Sequence, residues 1–577
     1  MKRTIWSILV ALLLVSTVWL VSCDNTGDST DTTTADTTDA VTTSADTSDE
    51  ETDAEPDETD SCSHAACYPI LDAKPTCTVD GVRHMTCAHC GETLSEESIP
   101  ATGHAAGNWI VDAEATCTSD GARHMTCTHC GETLSEESIP ATGHAAGNWI
   151  VDVPAKLGVE GSQHNECTLC GEVLETETLA ALIPSEGIKF TSNGDGTCRV
   201  SGIGSCTDID VVIPLTSPEG WRVTNIGREA FYDCDSLTSI VIPDGVTSIG
   251  NEAFYDCDSL MSIVIPDGVT SIGDWAFYGC SGLTSIVIPN SVTSIGYSAF
   301  SDCSGLTSIV VDEGDTVYHS EGNCLIETAS RTLITGCRNS VIPSDGSVTS
   351  IGDKAFFGCR GLTSIVIPDS VTSIGDWAFA FCSGLTSVTI GNGVARNIGD
   401  WAFSMCYKLV EVINKSVPNL TAGSSSYGGL AHYAKEIHNG ESKIVNKDNY
   451  LFYTYKGVNY LLGYVGNETD LVLPNYNGEK YEMYDYAFYN CRSLTSIKIP
   501  DSVTSIGDSA FFGCRGLTSI VIPDSVKSIG DSAFSGCSGL TNITYTGTIA
   551  QWNVVTKGLR WDYEMENYKI HYLGEET

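Results

Sequence analysis

A 23-residue repeat constrains the fold of this chain more than any other feature of its sequence. The unit at 283–303 reads Leu-x-x-Ile-x-Ile-Pro-x-x-Val-x-x-Ile-Gly-x-x-Ala-Phe-x-x-Cys. Its closing cysteine marks ten units: Cys234, Cys257, Cys280, Cys303, Cys359, Cys382, Cys406, Cys491, Cys514 and Cys537. A period between about 20 and 50 residues is typical of a solenoid, because one such unit cannot bury its apolar face without stacked neighbours.

Each unit combines two short apolar segments with an aromatic turn. In a representative unit, Ile286 and Ile288 alternate with other residues, which predicts a short strand with both isoleucines on one face. Pro289 ends this strand because proline has no N–H to donate to a ladder. A second short strand follows, and Ala299 and Phe300 then predict one helical turn that fills the interior. The unit therefore predicts a mainly β solenoid with short helical turns.

This unit resembles the leucine-rich repeat of BspA-like bacterial surface proteins. The resemblance covers roughly 188–573, and three further segments match the family at 200–204, 322–337 and 545–552, the last as a cap. It implies a leucine-rich repeat solenoid over 183–577. It also implies adhesion to host matrix proteins, epithelial surfaces or neighbouring cells, with no catalytic residues to transfer.

Two insertions interrupt the repeats, near 312–345 and 407–485. The second contains aromatic residues that alternate around a Lys-Gly turn, which predicts a β-hairpin. Those considered for ligand binding are Tyr450, Phe452, Tyr453, Tyr455 and Tyr460. Aromatic rings in such a hairpin either form its core or present an exposed contact surface for sugars and proteins, and both interpretations remain open.

The N-terminus predicts export from the cytoplasm. Lys2 and Arg3 precede an uncharged apolar run, which is typical of a secretory signal peptide over 1–22. The tetrad Leu20-Val21-Ser22-Cys23 resembles the lipobox of bacterial lipoproteins, and this resemblance implies a diacylated Cys23 as a membrane anchor. An uncleaved signal anchor is the alternative, since the run is just long enough to span a bilayer. Both interpretations place the remaining chain outside the cytoplasm.

Residues 23–61 follow as an acidic stalk. They are rich in Thr, Asp, Glu, Ser and Ala, a composition that cannot bury enough apolar area to offset its ordering entropy. We therefore expect a disordered tether. The whole chain has 74 acidic and 29 basic residues and a net charge of −45, which argues against nucleic acid as a partner.

Tandem Cys/His modules with a period of 40 residues occupy 62–182. Each full module offers the pattern Cys-x9-Cys-x2-Cys-x13-His, whose three thiolates and one imidazole suit a tetrahedral structural zinc site. The predicted ligands are Cys77, Cys87, Cys90 and His104 in the first module and Cys117, Cys127, Cys130 and His144 in the second. A third module keeps Cys167 and Cys170 but has Leu157 in place of the first cysteine, which suggests a metal site that has been lost.

The ligand grouping and the chemistry of the modules both have alternatives. His64 aligns with His104, so the histidine could instead open each unit, as His-x12-Cys-x9-Cys-x2-Cys. A disulfide framework competes with zinc because the predicted location is extracytoplasmic. A catalytic zinc is disfavoured, since a complete Cys3His set leaves no open coordination position.

The remaining sequence predicts a protein that binds rather than catalyses. It contains no Gly-x-Ser-x-Gly elbow, no His-Glu-x-x-His motif and no phosphate-binding loop. We expect a surface-anchored adhesin for extracellular proteins, glycans or neighbouring cells. The alternatives are a structural cell-surface spacer and a polymer-capturing subunit that serves a separate hydrolase.

Overall fold

The computed structural model describes residues 64, 66–394, 396–565 and 568–574. The predicted signal peptide, the predicted lipidation site Cys23 and the whole predicted stalk, 23–61, lie outside the described residues. The described residues form two compact units, one ending at 181 and the other beginning at 182. No helix within the described ranges is long and apolar enough to cross a membrane.

The first unit contains three antiparallel sheets of three strands, one for each Cys/His module. Their strands are β1 (Cys67–Ala73), β2 (Gly81–Cys87), β3 (Thr93–Ile99), β4 (Ala106–Ala113), β5 (Gly121–Cys127), β6 (Thr133–Ile139), β7 (Ala146–Val153), β8 (Gly161–Cys167) and β9 (Val173–Leu179). Most side chains of these strands are exposed, and the few buried apolar ones are chiefly cysteines. Domains with so little hydrophobic core usually need disulfides or a metal for stability.

The second unit is a solenoid of three successive stacks. The first stack contains β10 (Lys189–Ser192), β11 (Thr197–Gly202), β12 (Asp210–Val212), β13 (Arg222–Ile226), β14 (Ser239–Val241), β15 (Ser248–Ile249), β16 (Ser262–Val264), β17 (Ser271–Ile272), β18 (Ser285–Ile288), β19 (Ser294–Ile295) and β20 (Ser308–Val311). The second contains β21 (Tyr318–Glu321), β22 (Cys324–Glu327), β23 (Thr332–Gly336), β24 (Ser350–Ile351), β25 (Ser364–Ile367), β26 (Ser373–Ile374), β27 (Ser387–Ile390), β28 (Glu411–Asn414), a 3-10 turn (Tyr427–Gly429) and β29 (Glu436–His438). The third contains β30 (Val445–Lys447), β31 (Tyr450–Tyr455), β32 (Val458–Tyr464), β33 (Asp470–Val472), β34 (Tyr481–Met483), β35 (Ser496–Lys498), β36 (Val503–Ile506), β37 (Ser519–Ile522), β38 (Ser528–Ile529), β39 (Asn542–Tyr545), α1 (Ile549–Val554), β40 (Thr556–Lys557) and β41 (Lys569–Tyr572).

Equivalent residues of successive coils pair in parallel register. Ile240 of β14 lies beside Ile263 of β16, and Ile249 of β15 lies beside Ile272 of β17, each 23 residues further along the chain. The two predicted strands of the unit therefore build two parallel sheets. The mainly β solenoid predicted from the repeat is confirmed.

Each stack begins with antiparallel strands rather than with a repeat. β10 and β11 pair antiparallel before β11 joins β13 in parallel. In the second stack, β22 and β23 pair antiparallel before β23 joins β24 in parallel. In the third, β31 and β32 pair antiparallel before β32 joins β34 in parallel. The first predicted insertion and the part of the second from Val445 onward thus open new stacks, whereas β28 and β29 continue the second stack in parallel with β27. Three large apolar clusters follow the three stacks, although Tyr318, Leu325 and Cys337 of the second stack pack in the first cluster.

Columns of phenylalanine and cysteine fill the solenoid interior. The rings of Phe231, Phe254 and Phe277 stack with centroids 5.2 Å apart. The thiol of Cys257 donates to the carbonyl oxygen of Phe231 at 3.0 Å, and Cys280 repeats this contact with Phe254 at 3.1 Å. The cysteine of the repeat is buried in eight of the ten units, whereas Cys234 and Cys491 are half-buried.

The Ala-Phe-x-x-Cys segments fold as tight turns. The residue before the alanine adopts a left-handed conformation, with φ of 53° at Trp275, 58° at Trp377 and 59° at Trp401. A short hydrogen-bonded turn follows, as between the Cys257 N–H and the Phe254 carbonyl at 3.3 Å. The left-handed residue directs its own side chain away from the buried alanine and phenylalanine.

Candidate functional site

An aromatic surface follows the turns of the solenoid. We call it the turn face and define it by Tyr232, Tyr255, Tyr278, Phe357, Phe381, Trp377, Trp401, Tyr407, Tyr433, Tyr486, Tyr489 and Phe512. Tyr255 stacks on Tyr232 at 4.9 Å and on Tyr278 at 4.8 Å, and the series continues through Phe357 to Phe381. All of these rings are half-buried or exposed. The turn face therefore consists of three series of ring contacts that water can reach: one from Tyr232 to Phe381, the pair Trp377–Trp401, and one from Tyr433 to Phe512.

A groove of about 630 Å³ opens on the turn face beside Trp401. The Trp401 side chain is 61% exposed and stacks on Trp377 at 5.8 Å. Tyr433 and the exposed His432 also line the groove, with their rings edge to face at 4.6 Å. Asp400 and several serines add polar atoms to the lining. The groove therefore combines exposed ring faces with hydrogen-bonding groups.

The sequence predictions missed the turn face. In eight of the ten repeat units, an aromatic residue stands directly before the alanine or directly after the phenylalanine of the Ala-Phe pair. That enrichment is visible in the sequence, but its meaning depends on the left-handed turn that exposes these positions.

The predicted binding residues of the hairpin are mostly core residues. Tyr450, Phe452 and Tyr453 are buried in strand β31, with exposures of 6%, 0% and 1%. The Tyr453 hydroxyl donates to Glu436 at 3.0 Å, and Phe452 stacks on Tyr476 at 4.1 Å. The proposed ligand role of these three residues is therefore corrected, because their rings contact the protein interior.

Tyr455 and Tyr460 complete the predicted hairpin set. Both side chains are half-buried and pack against the small apolar cluster around Val410 and Leu462. The Tyr460 ring meets Tyr484 edge to face at 5.6 Å. A ligand role for these two remains a prediction.

Two clusters of three cysteines and one histidine lie in the first unit. The first cluster is Cys77, His104, Cys127 and Cys130, and the second is Cys117, His144, Cys167 and Cys170. In each, the four potential ligand atoms lie within 4.8 Å of one another. The Sγ atoms of Cys77 and Cys127 are 3.6 Å apart, as are those of Cys117 and Cys167.

These clusters combine residues from two consecutive modules. The predicted grouping of Cys77 and His104 with Cys87 and Cys90 is corrected, because the partners of Cys77 and His104 come from the next Cys-x2-Cys turn. In the alternative grouping of His64 with Cys77, Cys87 and Cys90, His64 does lie with Cys87 and Cys90, and only the placement of Cys77 is corrected. The third module supplies Cys167 and Cys170 to the second cluster, so both cysteines of its turn lie beside potential ligands of the preceding module.

The Cys-x2-Cys turn presents backbone N–H groups to sulfur. The His129 N–H donates to the Cys127 sulfur at 3.4 Å, and Gly131, with φ of 75°, closes the turn. Burial by itself raises the pKa of the Cys127 thiol, but the N–H groups of His129 and Cys130 stabilise the thiolate and lower its pKa overall. Burial and the neighbouring sulfurs raise the pKa of Cys77. One thiol of the pair therefore ionises readily while the other holds its proton.

Each cluster histidine lies between a cysteine and a glutamate. His104 Nδ1 is 3.4 Å from the Cys130 sulfur, and its Nε2 is 3.6 Å from the Glu132 carboxylate. His144 repeats these contacts with Cys170 and Glu172, both at 3.5 Å. A carboxylate on the far nitrogen orients an imidazole and fixes its tautomer, as is common for metal-bound histidines.

Three solved structures are similar to parts of this chain. A leucine rich cell surface protein from Faecalibacterium prausnitzii is 28% identical, with 65% of this chain and 97% of that chain covered and a TM-score of 0.27. A leucine-rich repeat protein from Bacteroides ovatus is 26% identical, with 68% and 99% covered and a TM-score of 0.28. A leucine-rich repeat protein from T. pallidum is 27% identical, with 39% and 90% covered and a TM-score of 0.27. None of the curated proteins compared with this sequence matches it.

The repeats themselves match a described family over more than half of the chain. Residues 224–345, 335–454 and 481–554 match the BspA type Leucine rich repeat region, in six copies. This match agrees with the parallel coils, the phenylalanine column and the ten unit cysteines described above. The chain belongs to the family of BspA-type leucine-rich repeat proteins.

Proposed function

We propose that this chain is a lipid-anchored, non-catalytic binding protein of the bacterial cell surface that holds extracellular glycans on its turn face. The aromatic groove beside Trp401 carries this proposal. Membership of the BspA-type family supports a binding role for the repeats. The lipobox-like tetrad ending at Cys23 supports the anchor.

Ring stacking and polar edges together suit a sugar chain. One face of a pyranose ring carries apolar C–H groups, which stack on Trp and Tyr faces, while its hydroxyls need hydrogen-bond partners. Trp401 and Tyr433 supply ring faces in the groove, and Asp400 and His432 supply polar atoms. The faces of Tyr255 are covered by Tyr232 and Tyr278, so that part of the turn face offers ring edges and hydroxyls, and the groove beside Trp401 supplies the stacking surface.

The charge of the chain favours a neutral glycan. The net charge is −45, so sulfated and uronic acid polymers are repelled at low ionic strength. Neutral polysaccharides carry no such penalty and bind mainly through stacking and hydrogen bonds. A neutral glycan is therefore the ligand class that the turn face fits best.

Binding of the purified full-length chain to a panel of neutral and anionic oligosaccharides tests the proposal. We expect saturable binding to a neutral member by calorimetry, and at least a tenfold loss of affinity in Trp401→Ala, a typical consequence of removing a central aromatic contact. Tyr68→Ala is the control, since Tyr68 is 49% exposed but belongs to a Cys/His module. Full affinity in Trp401→Ala, or binding to proteins alone, would reject the glycan assignment.

The anchor is tested separately by fractionation of cells. The wild-type chain is expected in the membrane fraction, and Cys23→Ser is expected to leave it, since diacylation needs the thiol. Membrane retention of Cys23→Ser would favour the uncleaved signal anchor instead.

A further inference from the structure

We propose that the two Cys3His clusters are structural zinc sites, each of which joins two consecutive Cys/His modules. In this arrangement, Cys77 and His104 of one module and the Cys127-x2-Cys130 turn of the next hold one ion. Cys117, His144 and the Cys167-x2-Cys170 turn hold the second. Both ions act as links between modules rather than as centres within them.

The distances agree with tetrahedral zinc. With Zn–S bonds of about 2.3 Å and Zn–N bonds of about 2.0–2.1 Å, two sulfurs on one ion stand about 3.8 Å apart, and a sulfur and a nitrogen about 3.5 Å apart. The Cys77–Cys127 sulfur distance is 3.6 Å, and the second cluster repeats it. The Cys130–His104 and Cys170–His144 contacts are 3.4 and 3.5 Å. Two pairs of ligand atoms in each cluster thus lie where one tetrahedral ion requires them.

The surroundings of the ligands are also those of a metal site. Backbone N–H groups face the sulfur of the Cys-x2-Cys turn, as for His129 and Cys127. Glu132 lies beside the outer nitrogen of His104, and Glu172 lies beside that of His144. Such partners orient the ligands and increase their basicity.

The ligands missing from the third module support sharing between modules. Leu157 and Pro184 stand 40 residues after Cys117 and His144, whereas Cys167 and Cys170 are retained. If each module bound its own ion, the retained pair would have no function. If each ion is shared, the last module needs only its turn, because no further module follows to complete another site.

The cluster of His64, Cys87 and Cys90 differs from these two. It offers three potential ligands among the described residues, and Thr37 stands where a cysteine equivalent to Cys77 would be expected from the 40-residue period. It is therefore left outside the proposal.

Cys90 and Cys170 provide a matched pair of test variants. Both are the exposed second cysteine of a Cys-x2-Cys-Gly-Glu turn. Replacement by serine should therefore disturb the local structure equally at the two positions. The full-length chain is purified under reducing conditions and dialysed against a moderate chelator that removes ions held by three ligands. Bound zinc is then measured by mass spectrometry of the metal.

Two equivalents of zinc are expected in the wild type and in Cys90→Ser, and one equivalent in Cys170→Ser. Cobalt substitution should show tetrahedral absorption bands, reduced by half in Cys170→Ser. Loss of zinc in Cys90→Ser but not in Cys170→Ser would overturn the proposal in favour of sites within modules. Zinc-free protein without free thiols would overturn it in favour of disulfides. His144→Gln, also expected to retain one equivalent, replaces Cys170→Ser if that variant does not fold.

Discussion

The Sγ atom of Cys77 lies 3.6 Å from the Sγ atom of Cys127, although 50 residues and a module boundary separate them. The other two members of the cluster, His104 and Cys130, follow Cys77 at different sequence separations. This contact sets the grouping of the cysteines, independently of the metal that they bind.

Mild oxidation of the metal-depleted chain should therefore link cysteines across modules. We expect Cys77 to form a disulfide with Cys127 or Cys130, because their sulfurs are neighbours in the folded state. Peptide mapping by mass spectrometry identifies the linked pairs. A sample oxidised in denaturant is the control, in which pairs close in sequence are expected instead. A native link between Cys77 and Cys87 would contradict the structure.

Phe254→Ala should destabilise the first stack strongly. Its ring stacks on Phe231 and Phe277 at 5.2 Å and is completely buried, so truncation leaves a cavity between coils. Replacement of a buried phenylalanine by alanine costs about 3–5 kcal/mol of unfolding free energy. Denaturation in urea with hydrogen exchange measures this loss and locates it.

Tyr232→Ala is the control for Phe254→Ala. The Tyr232 side chain is 46% exposed on the turn face, so we expect its loss to cost less than about 1 kcal/mol. Equal effects of the two variants would show that the phenylalanine column does not stabilise the coils.

Gly336→Ala should also destabilise the solenoid, by overcrowding rather than by a cavity. A Cβ at this position of β23 would overlap the ring of Phe356, the first phenylalanine of the second stack. Overpacking of this kind costs about 1–3 kcal/mol. Urea denaturation compares it with Gly202→Ala in β11, where the nearest atom to a new Cβ is 3.9 Å away. If Gly336→Ala left the free energy of unfolding unchanged, β23 and the Phe356 ring would be able to move apart without loss of stability.

The 23-residue period predicted the strands, the buried phenylalanines and the buried cysteines, because parallel coils place equivalent residues in register. It did not predict the turn conformation. The residues with positive φ include Trp275, Lys354 and Ser509. None of these residue types favours a left-handed conformation by itself, so the stacking of the coils must hold them in it. The exposed aromatic surface depends on this conformation and was missed for the same reason.

The metal grouping could not be read from spacing alone. A period of 40 residues makes the turn at Cys87 and the turn at Cys127 equivalent partners for Cys77 in the sequence. Only the three-dimensional arrangement of the modules shows that the partner of Cys77 is Cys127, 50 residues further along the chain, and not Cys87, 10 residues further along. The third module held the one clue, since it retains its turn but not the other two ligands.

A buried carboxylate in the first stack predicts a specific pH dependence. Asp302 accepts a hydrogen bond from Arg360 at 2.9 Å through one oxygen, while its other oxygen is buried without a hydrogen-bond partner. Burial raises the pKa of Asp302 to about 6, although the Arg360 charge acts in the opposite direction. The folded state therefore binds a proton more tightly than the unfolded state does.

The Asp302 contribution to stability should fall as the pH rises from about 4 to about 6, and the penalty should be complete above that range. Asp302→Asn removes this dependence, so its stability relative to the wild type should increase by about 3 kcal/mol across the window. Urea denaturation at a series of pH values measures the difference. Asp345→Asn is the control of opposite sign, because N–H and hydroxyl donors of Ser347 lower the pKa of Asp345, and its carboxylate stabilises the fold above the unfolded pKa. A difference between Asp302→Asn and wild type that does not change with pH would contradict the assignment of a raised pKa to Asp302.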